Sequence, residues 1–190
     1  GGTNTNISGT NTFEPNASGA QIGVTNITDA LANGNHVYIT TFSDGVNEAG
    51  NITLSAAISA NNSISRNLVF FASDKITLNQ DITATNNKLN ITLRAQGDIL
   101  LSDNVDITTL GGSFTVGGAN DTAELFGGSA DGAGSFTQNA TATIVTTGKD
   151  DTAGGAVTIK ADIRDPGSGT TTGTIDIKGD ITTKGGTATG

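Results

Sequence analysis

The chain has 190 residues, a formal charge of −9, 27 glycines and no Cys, Met or Trp. Nine Lys and Arg against eighteen Asp and Glu leave no basic face to displace counterions from phosphate, which excludes nucleic acid as a partner. The missing thiols exclude a disulfide scaffold and thiolate metal sites, and the absence of a long apolar run or basic amphipathic helix argues against membrane insertion.

Residues 1–21 are polar and aperiodic, and read as a flexible lead-in or an atypical first coil. The stretch ITDALANGNHVYITT (27–41) holds the one predicted helix: Thr28 as N-cap, a turn through Ala30 and Leu31, and Gly34 as the stop. His36, the lone histidine, is expected to cap the turn before a strand at 37–41. Without a ligand-spaced partner or a nucleophile beside it, it makes neither a zinc site nor a triad.

From residue 52 the apolar residues recur. Ile52, Leu54 and Ile58 precede Ile76, Leu78 and Ile82 by 24. Leu68 and Phe70 precede Ile91 and Leu93 by 23, and those precede Phe114 and Val116 by 23. Ala72 likewise maps onto Ala95, Ile76 onto Ile99, Leu78 onto Leu101 and Ile82 onto Val105. Further on the spacing loosens: 22 from Phe114 to Phe136, 21 to Val157 and 18 to Ile175. The segments LVFFASDKI (68–76) and ITLRAQGDILL (91–101) share one layout, which VTIKADI (157–163) and IDIKGDI (175–181) repeat with a shorter corner. Gly-Gly pairs and Asn or Asp punctuate the corners. A Gly-rich stretch at about 119–139 reads as a looped-out insertion on one coil.

Strand-like alternation at a period of 18–24 residues is the signature of a solenoid. It predicts an all-β fold, a parallel β-helix occupying 22–190 as a single domain. Seven or eight coils at strand spacing would make a rod of roughly 35–40 Å. An antiparallel β-sandwich is the alternative, but it leaves identity at a fixed offset unexplained. Neither an initiator Met nor a signal-peptide pattern occurs, and GDITTKGGTATG (179–190) stops within the pattern. The chain is therefore read as mature or as an internal piece of a longer protein, and the stop within the pattern favours the internal piece.

The outward positions are Tyr38, Thr53, Val69, Thr77, Thr92, Leu100, Thr115, Thr158 and Asp176. Tyr38, Val69, Phe71 and Leu100 are the candidate interaction patch, unless Phe71 packs into a corner. Asp103, Asn104 and Asp106 are the only candidates for Ca²⁺; the nonapeptide roll is missing, since GGSADGAGS (127–135) offers only Asp131. Asp150, Asp151, Asp162, Arg164 and Asp165 are the residues that a carbohydrate-active enzyme would use. Asp in such turns commonly bonds its own backbone, and no aromatic platform for a sugar accompanies them, so catalysis is not expected. An ice-binding face needs Thr in vertical register, and the column Thr53, Thr77, Leu100 breaks it. Sequons at Asn6, Asn16, Asn26, Asn51, Asn61, Asn90, Asn120 and Asn139 only modestly exceed what this composition produces.

Residues 30–39, 52–58, 68–82 and 91–107, and more loosely 157–163 and 175–181, resemble the filamentous-haemagglutinin-like large exoproteins of Gram-negative bacteria and cyanobacteria. In that family a short helical A-L-x-x-G-x-x-V-x-I element leads into repeats of the type ITL-x-A-x-GDI. The resemblance covers roughly 22–118 and 154–185. It implies a right-handed β-helical fibre exported by an outer-membrane partner, hence a secreted or cell-surface location. It also implies work as an adhesin, stalk or scaffold, with no cofactor and no catalytic residues to carry over. The Asn-Pro-Asn-Gly motif of the family's secretion domain is absent, so the resemblance is to the repeat region. The expected function is a structural and adhesive segment of an extracellular fibre, with neighbouring coils or copies and host or matrix glycans as partners. The alternatives are a subunit of a non-covalent filament and a carbohydrate-active β-helix enzyme.

Overall fold

The structure, a computed structural model, describes residues 3–7, 9–15, 19–41, 50–95, 97–117, 134–150, 152–161, 163–164 and 171–186. A hairpin of β1 (Thr3–Ile7) and β2 (Thr10–Glu14) precedes helix α1 (Val24–Ala32). Three-stranded coils follow. The first contains β3 (His36–Thr40), β4 (Ile52–Leu54) and β5 (Ile58–Ala60), and the second β6 (Arg66–Ala72), β7 (Ile76–Leu78) and β8 (Ile82–Ala84). The third contains β9 (Leu89–Ala95), β10 (Ile99–Leu101) and β11 (Asp106–Thr108), and the fourth β12 (Phe114–Val116), β13 (Phe136–Gln138) and β14 (Thr143–Val145). The fifth begins with β15 (Val157–Ile159) and passes through a small hairpin, β16 (Ile163–Arg164) and β17 (Thr171–Thr172). It closes with β18 (Ile175–Ile177) and β19 (Asp180–Thr182).

Equivalent strands of successive coils pair in parallel. The first sheet runs β1-β2-β3-β6-β9-β12-β15, the second β4-β7-β10-β13-β18 and the third β5-β8-β11-β14-β19. This is the expected parallel β-helix; among the described strands only the pairs β1–β2 and β16–β17 are antiparallel, which rules out the sandwich. The described residues make five full coils, fewer than the seven or eight expected. The seven strands of the first sheet span about 29 Å at ordinary strand spacing.

Alternation on each strand sends every second side chain into the bore. Register then stacks these residues in columns. Ile58, Ile82, Ile107, Ile144 and Ile181 form one, Ile76, Ile99 and Phe136 the heart of a second, and Leu68, Ile91 and Phe114 that of a third. All but Ile181 are buried. No single coil could bury these faces alone.

Register corrects the repeat at its looser end. Ile82 faces Ile107 rather than Val105, because the corner at 102–105 is longer than the one before it. Phe114, Phe136 and Ile175 are not successive rungs of one column. Phe114 stacks on Val157 in the first sheet, whereas Phe136 stacks on Ile99 and Ile175 in the second. The step therefore grows from 23 (Ile76 to Ile99) to 37 (Ile99 to Phe136), because residues inserted at corners leave the strands in place. VTIKADI and IDIKGDI look alike but begin on different sheets, the first with β15 and the second with β18. The Gly-rich stretch lies mostly outside the described residues; its last part, 136–138, is the regular strand β13 with Phe136 in the bore.

Helix α1 starts five residues earlier than expected. Its N-cap is Gly23, with no side-chain cap, and Thr28 sits inside it, the hydroxyl donating to the Thr25 carbonyl. The reason is amphipathic spacing: Val24, Ile27 and Leu31 share one face, and starting at Val24 brings that whole face onto the core. Gly34 ends the helix as expected, in the left-handed region at φ +82°. Between β2 and β3, α1 replaces the two strands found in later coils and packs against β3 and β5. It closes that side of the bore with Ile27, Ala30 and Leu31.

The pairs Gly111–Gly112 and Gly154–Gly155 occupy the same corner of successive coils. A Cβ on Gly155 would strike the Gly112 carbonyl, and one on Gly112 the Leu89 carbonyl, so backbone passes directly over backbone there. Thr109 and Thr146 hold these corners from inside, each hydroxyl donating to a glycine carbonyl, Gly112 at 2.6 Å and Gly155 at 2.7 Å. Gly155→Ala is expected to destabilise by about 2–3 kcal/mol through this overlap. Gly185→Ala, whose Cβ would meet only the Thr152 carbonyl at 3.9 Å, is expected to be nearly neutral, and chemical denaturation of the pair checks both. Ile107→Ala, cut from the middle of the isoleucine column, should cost about 2–5 kcal/mol on the same measurement.

Candidate functional surface

Outward residues are in register as well. On the first sheet Tyr38 lies beside Val69, followed by Thr92, Thr115 and Thr158. Phe71 points outward by alternation, in register with Thr40 and Arg94, yet it is only 2% exposed. Its ring meets that of Tyr38 edge to face, with centroids 6.0 Å apart. Of the expected patch, Tyr38, Val69 and Phe71 therefore share one face, with Tyr38 and Val69 half-buried and Phe71 covered. Leu100 does not join them. It belongs to the second sheet, between Thr77 and Thr137, in the column Thr53, Thr77, Leu100, Thr137, Asp176.

The oxygen-rich group at 103–106 is built into the neighbouring coils. The Asp103 carboxylate accepts from Thr141 Oγ1 at 3.2 Å and Asn139 Nδ2 at 3.4 Å, and that of Asp106 accepts from Thr143 Oγ1. Asn104 takes the left-handed conformation at φ 59° and donates its N–H to Thr141 Oγ1. The Asp106 N–H in turn reaches back to Asp81 Oδ1 at 2.8 Å. These bonds, two of them from backbone N–H groups, join three coils. Among the described residues no group of three or more His, Cys, Asp or Glu is placed to hold a metal ion.

His36 opens a second polar ladder. Its Nδ1 accepts the Asn67 N–H at 3.0 Å; Asn90 Nδ2 donates to Asn67 Oδ1 at 2.9 Å, and Asn90 Oδ1 accepts the Ser113 N–H at 2.9 Å. His36, Asn67, Asn90 and Ser113 sit just before the apolar pair of β3, β6, β9 and β12. The histidine thus bonds across to the next coil rather than closing its own turn, and the Asn90 sequon carries an amide already engaged on both sides. Of the residues suggesting a carbohydrate enzyme, Asp150 takes φ 54° within the turn closed by the bond from Thr152 N–H to the Lys149 carbonyl. Asp151, Asp162, Asp165 and the Arg164 side chain lie outside the described residues.

Alternation did not flag the polar residues inside the bore. Gln138 follows Leu54, Leu78 and Leu101 in one column and is fully buried, its amide donating to the Ala142 and Asp180 carbonyls. Asn62, also fully buried, donates to the Ile64 and Lys88 carbonyls. Both bind backbone of an adjacent coil across a corner, a partner that only stacking supplies. Gln138 at an i+2 position after Phe136 was the available signal.

No family model matches the chain, and neither does any curated protein or solved structure. No helix among the described residues is long and apolar enough to cross a membrane.

Asn90→Ala removes the middle of the amide ladder and should cost about 1–2 kcal/mol, a fall of about 3–6 °C in thermal midpoint by calorimetry. Thermal melts with Ca²⁺ and with EDTA should coincide, because Asp103 and Asp106 are already bonded to their neighbours. A midpoint that climbs with Ca²⁺ would mean that the cation displaces those bonds.

Proposed function

We propose that this chain is a structural and adhesive segment of a bacterial extracellular surface fibre, a stiff rod that presents its polar outer faces and performs no catalysis. The observation that carries the reading is the use to which the chemically capable side chains are put. Asp103, Asp106, Asn67, Asn90 and His36 bind the adjacent coil, so the residue types that might form a site serve instead to stiffen the rod. Bonds from coil to coil along the outside and aliphatic columns along the inside oppose sliding and bending together. The repeat resemblance to filamentous-haemagglutinin-like exoproteins supports the same reading and suggests glycans of a host or matrix as the adhesive partner.

Antibodies raised against the folded chain and applied to intact cells of the source organism test the proposal by electron microscopy. Labelled fibres projecting from the surface are the expected outcome. Labelling that appears only after the cells are opened would sink it.

A further inference from the structure

The charged side chains divide the rod lengthwise. The corner joining the third sheet to the first carries Arg66, Lys88, Lys149 and Lys184. Stacking draws these residues together. Lys149 Nζ reaches past the intervening coil to the Asn86 carbonyl at 3.3 Å, close to Lys88, and the Lys184 carbonyl accepts the Gly148 N–H at 2.8 Å. Arg94 and Lys160, each one residue past a bore residue, extend the basic side onto the outer face of the first sheet. Lys149, Lys160 and Lys184 are exposed, and like Lys88 they have no carboxylate partner among the described residues. Asp150 is the one acid at that corner among the described residues.

In a three-sided coil the opposite side is the second sheet with the two corners that flank it. Asp74 and Asp98 lie where the first sheet passes into the second, and Asp81, Asp103, Asp106 and Asp180 where the second passes into the third. All but Asp74 and Asp81 are exposed. Lys75, Arg164 of the β16–β17 hairpin and Lys178 interrupt them, and Lys178 is paired with Asp176 at 2.7 Å. Both sides repeat along the rod at the strand spacing of about 4.8 Å, so they match in period as well as in sign.

The formal charge of −9 repels copies as a whole. At about 0.1 M salt the screening length is about 10 Å, which damps repulsion between whole rods more than attraction between groups in contact. A basic side laid on an acidic side is a heterologous contact. It leaves one side of each sign free, so association does not stop at two copies.

We propose that the chain associates side by side with further copies of itself, the basic corner of one rod lying along the acidic side of the next. The contact is independent of the surface-fibre reading and involves neither end of the rod.

Sedimentation velocity over a concentration series should show species larger than a dimer at about 0.1 M salt and monomer alone at about 1 M, where screening shortens to about 3 Å. Lys88→Glu with Lys160→Glu makes both sides acidic, and Asp98→Lys with Asp180→Lys moves the acidic side toward basic. Each double variant alone should associate about tenfold more weakly or worse, and an equimolar mixture should recover the loss. The Asp→Lys variant is the sharper test: its net charge is less negative than −9, so net repulsion alone would make it associate more strongly. A wild type that stays monomeric at about 0.1 M salt, even one that binds a sulfated polysaccharide, would overturn the proposal. So would association that survives at about 1 M salt, or double variants that associate unchanged or fail to recover on mixing.

Discussion

A coil of this protein has an inside only when another coil lies on it. Three short strands bent around a bore expose about as much apolar surface as they cover, so the aliphatic columns exist only by stacking, in parallel and in register. Most other features follow from that constraint. The strands can be three residues long because their partners come from neighbouring coils. Glycine is required at 112 and 155 because backbone there crosses backbone with no room for a side chain. Inward polar groups survive because stacking puts a carbonyl of the adjacent coil or corner within reach, as for Gln138, Asn62, Thr109 and Thr146.

The same constraint governs what the outer surface can do. Residues that would suggest a metal or catalytic site in a compact enzyme recur here at equivalent places on successive coils. Equivalent places are neighbours in space, and at hydrogen-bond distance they bind one another. The ladder from His36 to Ser113 and the bonds of Asp103 and Asp106 to Thr141 and Thr143 are cases of this. Each bond adds little alone, but repeated along the rod they resist a one-residue slip, which would turn every bore residue outward.

Tolerance to insertion is the other consequence. Between β12 and β13 the sequence has more residues than between the equivalent strands of earlier coils, and between β15 and β18 it adds the hairpin β16–β17, yet Phe136 and Ile175 still land in one column. Strands held by coils above and below do not depend on the length of the corner that leads to them. The two ends of the described rod differ for a related reason: α1 covers one bore opening with a helical apolar face, while the outermost coil at the other leaves Ile175 and Ile177 half exposed.

Much of this was legible before folding. The alternation of Ile, Leu, Val and Phe and the offset of 23–24 residues determined the solenoid class and the bore residues from 52 to 101, because strand geometry makes i and i+2 equivalent wherever a chain is extended, and Gly34 marked the helix stop because glycine takes the left-handed conformation freely. Past Phe114 the same letters misled. Phe136 and Ile175 look like further rungs after Phe114, but hydrogen-bond pairing assigns them to a different sheet, and sequence distance carries no record of which corner absorbed the extra residues. The helix start depended on the packing of Val24 against a core that is not local. The fate of the candidate site residues was decided in the same way. Asp103, Asp106 and His36 are partnered by residues 31 to 38 positions away, a separation that becomes a few ångströms only when the coils are stacked.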